Sequence, residues 1–161
     1  MSRNEFQVRF DRFLGTYQKI SLILILPALM SAFSCFVKLF ATNYNLTFAQ
    51  GLILGLFPVF PSNGALWCLL ISLGFLGLFI VLGLFAAKGK LWCFLIAAGL
   101  HLADTVYLIT LFSSLSATTF SVSLIIHVLV LGASVFGVIS YVRADKLLKA
   151  HPHEILKDDK K

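Results

Sequence analysis

Charged residues are missing from most of the length of this chain. No Asp, Glu, Lys or Arg occurs at positions 39–87, and none occurs at positions 105–142. Over all 161 residues, 12% are charged, whereas soluble domains carry about 25%. With 59% hydrophobic residues and a mean hydropathy of +0.94, the composition excludes a soluble globular domain. It predicts a small polytopic membrane protein.

Cysteines are also few, and their spacing indicates no chemistry. The three of them, Cys35, Cys68 and Cys93, fall within apolar stretches, and no Cys-x-x-Cys pair occurs. The usual redox and zinc-binding motifs are therefore excluded. Glycine-rich segments lack the strand–loop–helix setting of a phosphate loop. We expect buried, inert thiols, no metal, no cofactor and no enzymatic activity.

What remains is mostly apolar sequence in stretches of membrane-spanning length. A helix needs about 20 apolar residues to cross a hydrocarbon core about 30 Å thick. Four stretches qualify, at residues 20–41, 65–87, 91–112 and 121–142. Because backbone in lipid must satisfy its own hydrogen bonds, we predict an all-α bundle of four transmembrane helices. Residues 1–161 are then a single membrane domain.

Basic residues mark the ends of these stretches. Of the 13 Lys and Arg, all except Lys38 lie before residue 21, in the turn at 88–90, or after residue 142. Because cytoplasmic loops carry the excess of Lys and Arg, we predict a protein of the inner (plasma) membrane with both termini and this turn in the cytoplasm. The uncharged connections, 42–64 and 113–120, then lie outside, and residues 143–161 form a cytoplasmic tail. Although the net charge is +6, the cations are dispersed, so we expect no nucleic-acid partner.

Residues 4–19 form a separate amphipathic unit ahead of the first span. Apolar side chains recur at helical spacing along one face, at Phe6, Phe10, Phe13, Leu14 and Tyr17. Arg9 and Arg12 lie on the other side. The pattern predicts a helix in the inner interface, with both cations near the anionic lipid headgroups of the inner leaflet. An anchoring role and a regulatory or partner-docking role both remain open.

Small and polar residues form a stripe along the first span. Pro27, Ser31, Ser34 and Lys38 share one helical face. Proline bends a membrane helix and frees a carbonyl, and small hydroxyl residues allow close helix packing. We expect this stripe to face the bundle. The apolar connection at 42–64, rich in Gly and Pro, predicts a short helix that lies on the outer interface or dips in and out of it.

One polar cluster interrupts the apolar stretches. Asp104 is the only acid within a predicted span; the residues that share its face or lie beside it are His101, Thr105 and Tyr107. Counting along the third and fourth spans places His127 at nearly the same depth. The polar face of the fourth span that carries it also includes Ser123, Ser134 and Tyr141. Since a buried acid needs a partner, we predict direct or one-water contact between Asp104 and His127.

Three interpretations of this cluster remain open. The first is a polar clasp, in which hydrogen bonds between helices fix their packing. The second is a proton or cation site based on imidazole titration. The third is a metal, haem or catalytic centre on His101 and His127. The first predicts a non-enzymatic accessory subunit that binds a membrane protein or a second copy of the chain. The second predicts a small proton- or ion-coupled transporter, which a chain of this size forms as an oligomer.

The segment that carries the cluster resembles uncharacterised small four-span bacterial membrane proteins. The likeness rests on the run Leu102-Ala103-Asp104-Thr105-Val106-Tyr107-Leu108, on His127, and on Gly137 with the exit Tyr141-Val142-Arg143. These residues cover about the last third of the chain. His101 stands where those proteins have an aromatic residue, and the loop between the two spans is longer. The resemblance implies a bacterial membrane protein and no particular activity.

Overall fold

The computed structural model describes residues 3–41, 49–59 and 63–151. Within these ranges every element is helical. The α-helices, in chain order, are α1 (Arg3–Ile23), α2 (Leu26–Phe40), α3 (Gly51–Leu56), α4 (Gly64–Ala87), α5 (Leu91–Thr110) and α6 (Ala117–Ala150). Short 3-10 turns at Phe57–Val59 and Phe112–Ser114 follow α3 and α5. The parts of the predicted outer connection and tail at 42–48, 60–62 and 152–161 lie outside the described residues.

Four helical segments are long and apolar enough to cross a membrane. They are Asn4–Phe40, which combines α1 and α2, together with α4, α5 and α6. This confirms the all-α fold and the predicted number of spans. The helix α6 continues to Ala150, about two turns beyond the end of the fourth apolar stretch at residue 142.

The distribution of polar and apolar side chains is the reverse of that in a soluble protein. Large apolar residues face outward, among them Phe33 at 64% and Phe136 at 67% exposure. Polar Ser31, Ser72 and His127 are buried between helices. Buried polar groups and a broad exposed apolar surface are the two informative departures from the soluble pattern. This exposed apolar surface is suited to contact with lipid.

The first segment breaks at Leu24 and Ile25, between α1 and α2. Pro27 lies in the first turn of α2, where its missing N–H would have no partner within the helix. The Ile25 N–H instead donates to the Leu22 carbonyl at 3.2 Å. The helix is thus interrupted just before Pro27, and the Leu24 carbonyl at the interruption bonds to a side chain from α5.

The aromatic face of α1 packs antiparallel along the last part of α6. The rings of Phe6 and His151 lie 5.4 Å apart, and those of Tyr17 and Tyr141 lie 5.0 Å apart. Phe6 and Tyr17 are 2% and 0% exposed. The face that the sequence assigns to the lipid interface is therefore covered by protein. The reason is the length of α6, which provides α1 with a neighbour beyond the apolar stretch.

Two apolar cores lie at opposite ends of the bundle. The first includes Tyr17, Ala86 and Cys93, so the α4–α5 turn lies near the level of Tyr17. We call this end of the bundle, from which the first part of α1 and the last part of α6 extend, the terminal end. The second core contains α3 residues together with neighbours from α2, α4 and α5, namely Cys35, Ile53, Leu54, Cys68 and Leu108. The short helix of the outer connection thus inserts between other helices. The three cysteines are buried, as predicted.

Candidate functional site

The carboxylate of Asp104, on α5, is the centre of the polar cluster. Its Oδ2 accepts hydrogen bonds from the Gly51 N–H at 2.9 Å and from His127 Nε2 at 2.7 Å. Its Oδ1 accepts from the Leu52 N–H at 2.9 Å. The side chain is 11% exposed. Asp104 therefore joins α3, α5 and α6 through one side chain.

The contacts of Asp104 explain how a six-residue helix can begin inside the bundle. The first N–H groups of any helix have no partner within it, and leaving them unpaired in an apolar setting is costly. Gln50, the residue at the N-cap, makes no side-chain capping bond. Its own N–H donates to the Ser31 hydroxyl at 2.6 Å, and Asp104 accepts the next two. Side chains of α2 and α5 thus replace the missing cap.

Two glycines let α3 approach α5 closely. A Cβ on Gly51 would lie 2.8 Å from the backbone oxygen of Asp104 and 2.9 Å from the Leu108 nitrogen. A Cβ on Gly55 would overlap the ring of Tyr107. Their i, i+4 spacing is the small-xxx-small pattern that allows membrane helices to pack backbone to backbone. This spacing is a sequence signal that could have placed α3 against another helix.

His127, on α6, has both ring nitrogens against acceptors. Nδ1 lies 2.7 Å from the Ser123 carbonyl oxygen, and Nε2 lies 2.7 Å from Asp104. Because a carbonyl oxygen can only accept, Nδ1 carries a hydrogen, and Nε2 shares a second one with the carboxylate. The side chain of His127 is 2% exposed. Both nitrogens of His127 and both carboxylate oxygens of Asp104 therefore have a hydrogen-bond partner.

His101 lies beside this pair but bonds elsewhere. Its Nε2 donates to the Leu24 carbonyl at 2.7 Å, at the break between α1 and α2. Its ring stacks on Phe79 with centroids 4.4 Å apart, and its centroid lies 6.5 Å from that of His127 with the two rings nearly perpendicular. His101 therefore links α5 to the break between α1 and α2 and makes no hydrogen bond to the Asp104–His127 pair.

The other predicted cluster residues make local contacts. The Thr105 hydroxyl donates to the His101 carbonyl within α5 at 2.6 Å. Tyr107 is 40% exposed and lies against Gly55. Neither bonds to Asp104. The cluster thus reduces to Asp104 and His127, with Gly51 and Leu52 as backbone partners that the sequence did not indicate.

The predicted polar stripes face the bundle along most of their length. Ser31, Ser34, Ser123 and Ser134 are all buried, and Lys38 is half-buried. Among these serines, the Ser31 hydroxyl accepts a hydrogen bond from Gln50 at the start of α3. The Ser134 hydroxyl instead donates to the Val130 carbonyl of its own helix at 2.8 Å. The stripe in α2 thus contributes directly to the placement of α3.

A cavity of about 220 Å³ lies next to Asp104, between α3, α4 and α5. Its lining is mostly apolar and consists of Gln50, Leu52, Phe75, Phe79, Leu100, Ala103, Asp104 and Tyr107. Within the described ranges, no group of three or more His, Cys, Asp or Glu side chains is placed to hold a metal ion. The arrangement positions helices and encloses a small, largely apolar space.

Comparison of the chain with protein-family models, with curated proteins and with solved structures finds no match. The resemblance to small four-span bacterial proteins therefore stays a prediction.

Proposed function

We propose that this chain is a small, non-enzymatic integral membrane protein, an accessory or partner-binding subunit in which Asp104 and His127 form a clasp that holds α3 inside the bundle. The observation that carries the proposal is the set of three hydrogen bonds accepted by Asp104, two from the α3 backbone and one from His127. Together they tie α3 to two long helices.

The side-chain nitrogen and oxygen atoms of His127 and Asp104 are all hydrogen-bonded, which favours a clasp over a proton relay. A relay needs a group that can exchange its partner, whereas both nitrogens of His127 and both oxygens of Asp104 are already engaged. Breaking a buried pair of this kind leaves an uncompensated polar or charged group and costs about 3–5 kcal/mol. A fixed α3 gives the bundle end opposite the terminal end a defined surface, which recognition of a partner requires.

The proposal includes the membrane location and the orientation of the chain. The distribution of basic residues supports an orientation with both termini and the α4–α5 turn in the cytoplasm, and a bacterial plasma membrane is what the resemblance implies. In that orientation α3 enters the membrane from the outside. The clasp then organises the outer half of the bundle, and the partner is a second membrane protein or another copy of this chain.

A second candidate, an oligomeric proton- or ion-coupled transporter, is favoured by one observation. The cavity of about 220 Å³ is lined in part by Asp104, so a small molecule or ion within it would lie next to the carboxylate. Transport through this site requires Asp104 to exchange a hydrogen-bond partner during the cycle.

Substitution of Asp104 separates the two candidates. For a clasp, Asp104→Leu lowers the thermal stability of the detergent-purified protein and increases labelling of a cysteine placed in α3, and Asp104→Asn does so less because an amide still accepts one bond. For a transporter, Asp104→Asn keeps the stability and abolishes pH-driven flux in proteoliposomes. Asp11→Asn, an exposed acid that bonds to Gln7, is the matched control. Unchanged stability and labelling in Asp104→Leu would refute the clasp.

A further inference from the structure

A groove between α1 and α6 opens at the terminal end of the bundle. It has a volume of about 520 Å³, and its lining consists of Arg9, Arg12, Phe13, Arg143, Lys146 and Leu147. Four of these six residues are cations, contributed equally by the two helices. The groove is distant in the chain from Asp104 and shares no residue with the clasp.

The cations occupy two levels along the groove. Arg143 lies over the ring of Phe13, with its guanidinium carbon 5.6 Å from the ring centroid, and Arg12 is the neighbour of Phe13 in the chain. Arg9 and Lys146 are each three residues further from the apolar part of their helices. At about 1.5 Å per residue, this separates the two levels by about 4.5 Å.

Within the described residues, no carboxylate lines the groove. Asp11 and Asp145, which are adjacent in the chain to Arg12 and Lys146, bond to other residues. Asp11 accepts from Gln7 at 3.3 Å, and Asp145 accepts from Lys149 at 2.6 Å. Four convergent positive charges without an acid among them attract an anion, and arginine is well suited to phosphate because its guanidinium can form paired hydrogen bonds.

The position of the groove relates it to the membrane surface. Arg143 is the first charged residue after the uncharged run at 105–142, so it lies where α6 leaves the apolar layer. Phe13 and Leu147 are the two apolar residues of the lining, and Phe13 lies under the Arg143 guanidinium. Cations at the edge of the apolar layer are at the depth where phospholipid phosphates lie.

We propose that this groove binds an anionic phospholipid whose headgroup carries two phosphates, a diphosphatidylglycerol-type lipid. Four cations match the two negative charges of this headgroup better than a single charge, and the position of Arg143 at the end of the uncharged run favours a lipid over a soluble phosphate. The site goes beyond the clasp, since it involves neither α3 nor Asp104.

Native mass spectrometry of the full chain in mild detergent tests the site. Diphosphatidylglycerol is titrated against the wild type and against Arg12→Gln/Arg143→Gln, with phosphatidylglycerol and phosphatidylcholine as comparison lipids. The control, Lys88→Gln/Lys90→Gln, removes two exposed cations from the α4–α5 turn at the same end of the bundle. If the first variant does not fold, Arg9→Gln/Lys146→Gln replaces it.

We expect one diphosphatidylglycerol per chain in the wild type and in the turn control. Loss of two groove cations should weaken binding roughly thirty-fold, equivalent to about 2 kcal/mol. The proposal is overturned by equal binding in groove and turn variants, by equal retention of phosphatidylcholine, or by displacement of the lipid with millimolar inorganic phosphate. A dimer that the groove substitutions dissociate would instead assign the groove to a second copy, and would also overturn it.

Discussion

Gly51 and Asp104 are in contact both through a hydrogen bond and through close packing of their backbones. The Gly51 N–H donates to the Asp104 carboxylate at 2.9 Å, and a Cβ on Gly51 would lie 2.8 Å from the backbone oxygen of Asp104. The polar contact therefore depends on the absence of a side chain. The start of α3 can reach the carboxylate only because its backbone lies against the backbone of α5.

Gly51→Ala should destabilise the protein by about 1–3 kcal/mol, because the added methyl group overpacks the contact with α5. The measurement is unfolding of the detergent-purified protein by heat or denaturant. Gly74→Ala is the matched control: a Cβ there meets nothing within 4 Å, and alanine favours helix by up to about 1 kcal/mol. Equal stability of the two variants would contradict the close packing of α3.

A double-mutant cycle on Asp104 and His127 should show strong coupling. His127→Phe alone leaves the carboxylate buried with one partner fewer, at a cost of about 3–5 kcal/mol. Asp104→Leu combined with His127→Phe should cost clearly less than the sum of the two single changes, because neither partner of the Asp104–His127 contact is then left buried without the other. Unfolding free energies of the four proteins give the coupling. Additive effects would show that the 2.7 Å contact contributes little.

His101→Phe should lower stability by about 1–3 kcal/mol through loss of a hydrogen bond to a buried carbonyl. The substitution keeps an aromatic ring against Phe79 and removes only the donor to the Leu24 carbonyl. Hydrogen exchange should show faster opening around the break between α1 and α2. Protection unchanged at Leu26 and at α1 would mean that His101 does not stabilise the bend.

A cysteine placed at Gly89 should resist membrane-impermeant reagents added to intact cells and react after the membrane is opened. The residue lies in the exposed α4–α5 turn between two lysines, which the charge distribution assigns to the cytoplasm. A cysteine at Ser116, at the other end of α6, should show the reverse pattern. The wild type is a suitable background because its three cysteines are buried. Labelling of residue 89 from outside would invert the topology.

Much of the architecture was predictable because it depends on local composition. Apolar stretches of sufficient length predicted four spans, and four candidate spans are present. The acid at 104 and the histidine at 127 could be paired by counting, since the rise of a helix converts sequence position into depth. The buried stripe through Ser31 followed from helical periodicity. These inferences need only the helix geometry and an apolar solvent.

The partners of α1 could not be predicted in the same way. Its aromatic face is typical of an interfacial helix, but in the structure Phe6 and Tyr17 lie against α6. An apolar stripe shows that a face is covered and does not show by what. Lipid and a neighbouring helix satisfy it equally, so only the course of the whole chain distinguishes them.

The sequence by itself determined that this is a helical membrane protein with one buried acid and a histidine at matching depth, because hydropathy and helical rise are local properties. Only the tertiary structure determined which groups donate hydrogen bonds to the acid. Two of its three hydrogen bonds come from backbone N–H groups of Gly51 and Leu52, and every residue except proline has such a group. Which N–H reaches Asp104 depends on where the outer connection re-enters the bundle, and that is set by packing.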